Sequence, residues 1–392
     1  MGKFLRNAVK FYGVMRMIYR DFNGEKISAL GLGCMRLPRN SFDQSDIDKN
    51  AVKEMVEYAI DNGVNYFDTA YGYHGGNSER VMGEVLSEYE RNTFYLATKF
   101  PGYDLNNFPK VREIFEEQIE KCRVDYFDFY LFHCVSDTNI DYYLNPEYGV
   151  FDYIYSQKQK GRIKHLGFSC HSSPETLRRF LDAYGKYMEF GQLQLNYLDW
   201  SKPEGKENAR ILGEYNIPIW VMEPVRGGSL ASLDKKYEEK LKALRPEQSI
   251  PAWAFRYLQT KENVGVILSG MSNIKQLVEN IDTFKEEKPL NETEMTAIND
   301  IVKSILSLKT VPCTSCRYCG DYCTKKLDIP RLISVYNDNI SSGGGELSPN
   351  IFRFFKQEDL PSNCIACRSC EKVCPQQIKI TEILKELSTV CE

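Results

Sequence analysis

The sequence predicts an α/β protein: a (β/α)8 TIM barrel followed by a small C-terminal ferredoxin-like domain of helices and loops. Three observations carry that expectation. Short apolar runs alternate with amphipathic segments from residue 28 to residue 280, these runs number eight, and the composition changes after residue 306. The runs fall at 28–33, 65–69, 94–99, 127–133, 163–169, 193–196, 217–223 and 264–270. Each is rich in Val, Ile, Leu, Phe or Tyr, as parallel strands buried on both faces should be.

Helical periods fill the gaps. Residues 47–62 put Ile47, Val52, Met55, Val56, Ala59 and Ile60 at helical spacing and stop at Gly63. Residues 78–89 open on Ser78 as a cap with an acidic first turn, and 111–122 follow the same period. Ser173 and Pro174 supply a cap and a first-position proline for another helix. Further periods lie at 151–160, 209–215, 251–260, 274–284 and 291–306. Strand and helix alternating eight times is the barrel pattern, in which chemistry sits at the C-terminal ends of the strands. The competing architecture is an open doubly wound sheet. Gly31-Leu32-Gly33-Cys34 lacks the third glycine of a dinucleotide fingerprint and opens no helix.

Length and composition fit this division. A chain of 392 residues suggests two or three units, and 42% hydrophobic with 27% charged residues is ordinary for an enzyme with a large core. Fifty basic against 54 acidic residues gives a net charge of −4, which argues against a globally basic nucleic-acid binder. No uninterrupted apolar stretch reaches the ~18 residues of a membrane span. With no secretion signal evident, a cytoplasmic location is expected. The expected units are an extension of no legible role at 1–16, the barrel at 17–306 and the small domain at 307–392. Within the last, the Ser/Gly stretch at 341–345 reads as a flexible loop.

Of 13 cysteines, eight fall between 313 and 374, a concentration that suits metal better than disulfides. Cys313-x2-Cys316-x2-Cys319-x3-Cys323 is followed by Cys364-x2-Cys367-x2-Cys370-x3-Cys374-Pro375. This is the bacterial ferredoxin spacing for two 4Fe–4S clusters, in which the fourth cysteine of each run serves the other cluster. One set is then Cys313, Cys316, Cys319 and Cys374, and the other is Cys364, Cys367, Cys370 and Cys323. Zinc sites would favour separated C-x2-C knuckles. Thr324, where a proline would be expected, is the one departure.

Asp68 lies at the end of the second run with Tyr73 just beyond it, Lys99 ends the third and His133 ends the fourth. A carboxylate, a phenol, an ammonium and an imidazole at successive strand ends suit proton donation to a carbonyl. A free phenol has a pKa of about 10. A nearby Lys99 lowers it by favouring the phenolate, Asp68 holds Lys99 charged, and His133 orients or polarises the substrate oxygen. Of the other candidates, His74 and His171 read as loop residues and His165 as strand packing. Cys34, Cys134 and Cys170 read as small buried thiols.

Asp68-Thr69-Ala70 with Tyr73 five positions after the Asp, Ala97-Thr98-Lys99 and Leu131-Phe132-His133 resemble the aldo-keto reductases, specifically members fused to a ferredoxin-like tail. The resemblance spans residues 17–385. It implies Tyr73 as proton donor, reduced nicotinamide (NADPH or NADH) as hydride donor, and a small carbonyl or alcohol as substrate. Tyr71 is the neighbouring phenol with which Tyr73 could be confused. The same resemblance implies that Ser169 and Gln194 bind the nicotinamide amide and that Met222 packs where an aromatic ring is common. It also implies that Gly228 lies in the loop after strand seven, and that Ser272, Gln276, Glu279 and Asn280 form the adenosine-phosphate end, with Ser272 capping the helix. Two clusters raise a redox partner protein as a further expectation. The alternative is an electron-transfer adaptor whose barrel binds nucleotide without reducing carbonyls.

Overall fold

The computed structural model describes residues 17–41, 43–308, 310–341, 352 and 355–389. The extension at 1–16 and nearly all of the Ser/Gly stretch lie outside the described residues.

Two short strands come first, β1 (Tyr19–Phe22) and β2 (Glu25–Ser28), an antiparallel hairpin turned by Asn23 and Gly24. Both turn residues have positive φ, 54° and 85°, the geometry an Asn-Gly pair adopts most readily. Eight strands then close a barrel: β3 (Leu30–Gly33), β4 (Tyr66–Asp68), β5 (Tyr95–Phe100), β6 (Phe127–Val135), β7 (Ile163–Cys170), β8 (Phe190–Gln194), β9 (Ile219–Met222) and β10 (Val264–Gly270). All neighbours are parallel, and β10 closes onto β3 with Gly270 opposite Gly33. The expected barrel is therefore the observed one.

Around it lie α1 (Lys49–Asp61), α2 (Asn77–Leu86), α3 (Val111–Cys122), α4 (Ile140–Leu144), α5 (Val150–Gln159) and α6 (Pro174–Tyr184). α7 (Pro203–Glu214), α8 (Lys235–Leu244), α9 (Ile250–Leu258), α10 (Ile274–Thr283) and α11 (Glu292–Leu306) complete the ring. Several boundaries differ from the sequence reading for physical reasons. Ser78 lies inside α2 rather than capping it; its hydroxyl donates to the Cys34 carbonyl at 3.0 Å, and Gly76 at φ 89° starts the helix. α7 begins at Pro203, which fits a first helical turn, rather than at 209. α8 buries only Leu241, too little apolar surface to leave a period in the sequence. The predicted Ser173 cap is present, accepting from the Thr176 N–H.

Inside the barrel, side chains two residues apart stack in layers. The floor is aromatic: Tyr66, Phe129, Phe190 and Trp220, plugged from below by Phe22 and Ile27 of the hairpin. Phe22 meets Trp220 edge-on, 4.9 Å between centroids. Gly31 makes room for this layer, since a Cβ there would approach Leu268 to 2.6 Å and Tyr66 to 3.1 Å. One pleat above Tyr66, Ala97 and Leu131 come Asp68, Lys99 and His133. Alternation alone lifts those three to the open mouth.

Beyond the barrel, α12 (Tyr318–Asp321), α13 (Ile329–Ser341), α14 (Ser369–Lys372) and α15 (Ile380–Ser388) share a separate apolar cluster that includes Leu332, Ile380 and Leu384 with Cys319 and Cys370. This unit rests on the C-terminal mouth of the barrel. Arg36 donates to the carbonyls of Thr314 and Ser315, Tyr322 donates to Asp104 at 3.0 Å, and Gln376 donates to Gln194 at 2.7 Å. Among the described residues no helix is long and apolar enough to cross a membrane.

Candidate active site

The Lys99 side chain is fully buried, and its ammonium donates to Asp68 Oδ1 at 2.6 Å and to the Thr69 carbonyl at 2.7 Å. Gln192 donates to the other Asp68 oxygen at 3.1 Å. A buried charge persists only when paired and hydrogen-bonded, and here both partners are. Tyr73 sits in the turn after β4, 8% exposed, with Lys99 Nζ 5.1 Å from its ring centroid.

Tyr73 titrates in the opposite sense to the sequence expectation. Burial and then the Asp68 charge hold its phenol well above the usual range, and a hydrogen bond from Tyr318 offsets part of the rise. The reason is geometric: Lys99 spends its hydrogen bonds on Asp68 and Thr69 and faces the Tyr73 ring. Tyr73 is therefore a protonated phenol. Tyr71 points elsewhere, donating to Glu117 at 2.8 Å with Lys121 over its ring.

His133 ends up neutral. Burial, then Lys99 and His171, push its pKa well below the usual imidazole range. Tyr143 fixes the backbone here, donating to the His133 carbonyl at 2.7 Å. Nε2 lies 3.2 Å from the hydroxyl of Tyr318, and Nδ1 is buried with no hydrogen-bond partner among the described residues.

A cavity of about 330 Å³ joins Asp68, Tyr73, His133 and Gln192 to the far rim beside α10. Six residues expected at the cofactor line it: Met222, Gly228, Ser272, Gln276, Glu279 and Asn280. Ser272 does not cap α10, however. Asn273 does, accepting from the Gln276 N–H at 3.0 Å, while Ser272 donates through its hydroxyl to the Arg36 carbonyl and through its N–H to Gln276. Asn280 is buried and donates to Ser269 at 3.0 Å, so it is no solvated helix face.

Two expected cofactor residues lie off the cavity. Ser169 Oγ accepts from the Cys134 N–H at 2.8 Å, and Gln194 is engaged with Asp199 and Gln376. In place of Gln194, Gln192 faces the cavity. Both glutamines share one strand face, but β8 starts at Phe190 rather than at 193, so Gln192 is the deeper of the two. Arg36 was also missed; besides the two carbonyls it pairs with Glu223 at 3.3 Å. His74 is structural, accepting from the Leu37 N–H at 3.1 Å, and His165 packs against Phe22 and Phe129. His171, expected to be an ordinary loop residue, lines the cavity; burial pushes its pKa down to about 4.

No described cysteine forms a disulfide. Cys34, Cys134 and Cys170 are buried, as expected. Burial raises Cys316 to about 12, with Cys374 and Cys313 adding to the rise; Cys319 is raised by burial and by Cys316, Cys313 and Cys374. Burial raises Cys370 to about 12, with Glu371, Cys323 and Cys364 contributing. Thr324, next to Cys323, has its hydroxyl 3.6 Å from Cys367. Among the described residues no three His, Cys, Asp or Glu side chains converge tightly enough to hold a single metal ion.

A parallel eight-stranded barrel with a buried ion pair beneath one long cavity at its C-terminal mouth belongs to the (β/α)8 enzymes. A family model described as the aldo/keto reductase family matches residues 29–303, and the chain belongs to that family, as an NAD(P)H-dependent oxidoreductase. The match ends before the first cysteine run. The chain is 25% identical over 311 residues to the uncharacterized oxidoreductase YqkF of Bacillus subtilis (strain 168), spanning 71% of this chain and 93% of that one. It is 27% identical over 320 residues to L-galactose dehydrogenase of Arabidopsis thaliana, spanning 72% and 93%. Among solved structures, the holo form of aldo-keto reductase AKR11C1 from Bacillus halodurans matches with a TM-score of 0.59 at 22% identity, over 73% of this chain and 96% of that one.

The ion pair yields a stability prediction. Asp68→Asn leaves the Lys99 ammonium buried without its counter-charge, and chemical denaturation should register a loss of about 3–5 kcal/mol. Pairing Asp68→Leu with Lys99→Met should recover most of that loss. A single variant within about 1 kcal/mol of wild type would mean the ammonium finds other solvation.

Proposed function

We propose that the barrel interconverts a small carbonyl compound and its alcohol, with Tyr73 handling the proton, and that the C-terminal unit carries two 4Fe–4S clusters. One observation carries the first part: Asp68, Tyr73 and His133 meet at one end of a cavity, with Lys99 paired to Asp68 behind them, and Met222, Ser272 and Gln276 line its other end. The intact set weighs against a nucleotide-binding adaptor without chemistry.

Tyr73 begins as a protonated phenol and so has a proton to give. As the proton leaves, the phenolate is favoured by Lys99 on the face of its ring, while Asp68 keeps that ammonium charged and fixed. His133, neutral, directs Nε2 at the substrate oxygen. Burial of all four groups excludes water and strengthens their fields. The nicotinamide, when bound, supplies or accepts the hydride. Gln192 would suit its amide end, Met222 would offer the ring an apolar contact and no aromatic stack, and Ser272, Gln276, Glu279 and Asn280 would suit its phosphate and adenosine end. A carbonyl-to-alcohol reaction in either direction also agrees with a relative named as a dehydrogenase.

The cysteine runs fit cubane clusters. Cys313, Cys316 and Cys319 have Cys374 as neighbour, while Cys370 has Cys323 and Cys364. Such clusters supply single electrons or brace the unit against the barrel. A redox partner protein belongs to the first role.

Tyr73→Phe should lower reduction of 4-nitrobenzaldehyde by about 10²–10⁴-fold while leaving the dissociation constant for NADPH unchanged, as followed by nicotinamide fluorescence. Retained turnover would move the proton donor to another group. Anaerobically purified protein should carry about eight irons per chain, and Cys316→Ala roughly half that or less, with loss of broad absorbance near ~400 nm. Two zinc ions per chain and no such absorbance would refute the clusters.

A further inference from the structure

Tyr318, between Cys316 and Cys319, enters the barrel mouth from outside the barrel. Arg317 turns the chain there with φ 66°, and Arg36 holds the preceding loop by two backbone carbonyls. The ring stacks on Tyr103, 5.2 Å between centroids at 15°, and Tyr103 in turn stands edge-on to His133. Tyr103 keeps its place because residue 72 is glycine; a Cβ there would collide with the Tyr103 hydroxyl. A side chain gripped by loop, stack and neighbour is no loose surface residue.

Its hydroxyl lies 3.2 Å from His133 Nε2, and it lines the same cavity as the Tyr73 phenol, whose raised pKa it tempers. These are the two groups that face a substrate oxygen in the reading above. We infer that Tyr318 is the resident occupant of the substrate-oxygen position: its hydroxyl takes His133 Nε2 in the cavity that Tyr73 also lines, so substrate binds by displacing it. The inference rests on the proposed roles of Tyr73 and His133. It makes the cysteine-rich unit a wall of the active site and Tyr318 a specificity-determining residue, because a substrate must be shaped to push that phenol aside.

The test is equilibrium binding of 4-nitrobenzaldehyde to the anaerobically purified full chain, by calorimetry with and without NADP+, conditions that allow no turnover. Tyr318→Phe keeps the stacked ring and removes the competing hydroxyl, so affinity should rise about three- to tenfold, the worth of one or two hydrogen bonds. Tyr318→Met should shift affinity the same way should the Phe variant fold poorly. Tyr322→Phe removes a docking hydrogen bond to Asp104 outside the cavity and should leave affinity unchanged. Equal or weaker binding by the Tyr318 variants, or no binding by any form, overturns the inference. So does an equal gain in Tyr322→Phe, which would mark simple loosening of the unit. Failure of Tyr73→Phe to stop turnover would strike the catalytic assignment alone, since these affinities are read without turnover.

Discussion

A fully buried ammonium is the constraint around which this molecule is arranged. Lys99 has no water to solvate it, so the fold supplies Asp68 and the Thr69 carbonyl instead. That requires β4 and β5 to be parallel neighbours with Asp68 opposite Ala97, one pleat below which Tyr66 must also find room. Gly31 provides that room, and the hairpin seals the floor beneath it. The same pair sets the field at Tyr73. Burial and then the Asp68 charge hold the phenol's pKa up, and the Lys99 ammonium lies over its ring.

The second organising contact joins the two units. Arg36 reaches from the loop after β3 to Glu223 and to two carbonyls of the cysteine loop. Gly227, at φ 67°, allows that loop to lie directly on the barrel, where any Cβ would collide with the Thr314 carbonyl. Cys316 and Tyr318 consequently line the same cavity as Tyr73 and His133. Placement of the thiols and placement of Tyr73 and His133 are one packing problem.

Much of this was legible in the sequence because strand alternation is a local signal. Apolar runs gave the eight strands, and reading to the end of each run found Asp68, Lys99 and His133. The cysteine spacing was equally local. What escaped depends on contacts between distant segments. That Gln192 and not Gln194 lines the cavity was hidden because β8 starts at Phe190, three residues before the apolar run that marks it. Arg36 and Tyr318 carry no motif, and their meaning comes from the unit that folds back over the mouth, hundreds of residues away. The direction of the Tyr73 shift was likewise out of reach: spacing brings Lys99 near, but which atoms its ammonium faces is decided only by the folded chain.

Hydride delivery into the cavity beside Tyr73 is the central chemical claim, and isotope tracing tests it most directly. Reduction of 4-nitrobenzaldehyde with NADPH deuterated at C4 should place one deuterium on the carbinol carbon, with the product taking its other new hydrogen from solvent. Product that carries solvent hydrogen at that carbon instead would contradict direct transfer and point to electrons arriving singly.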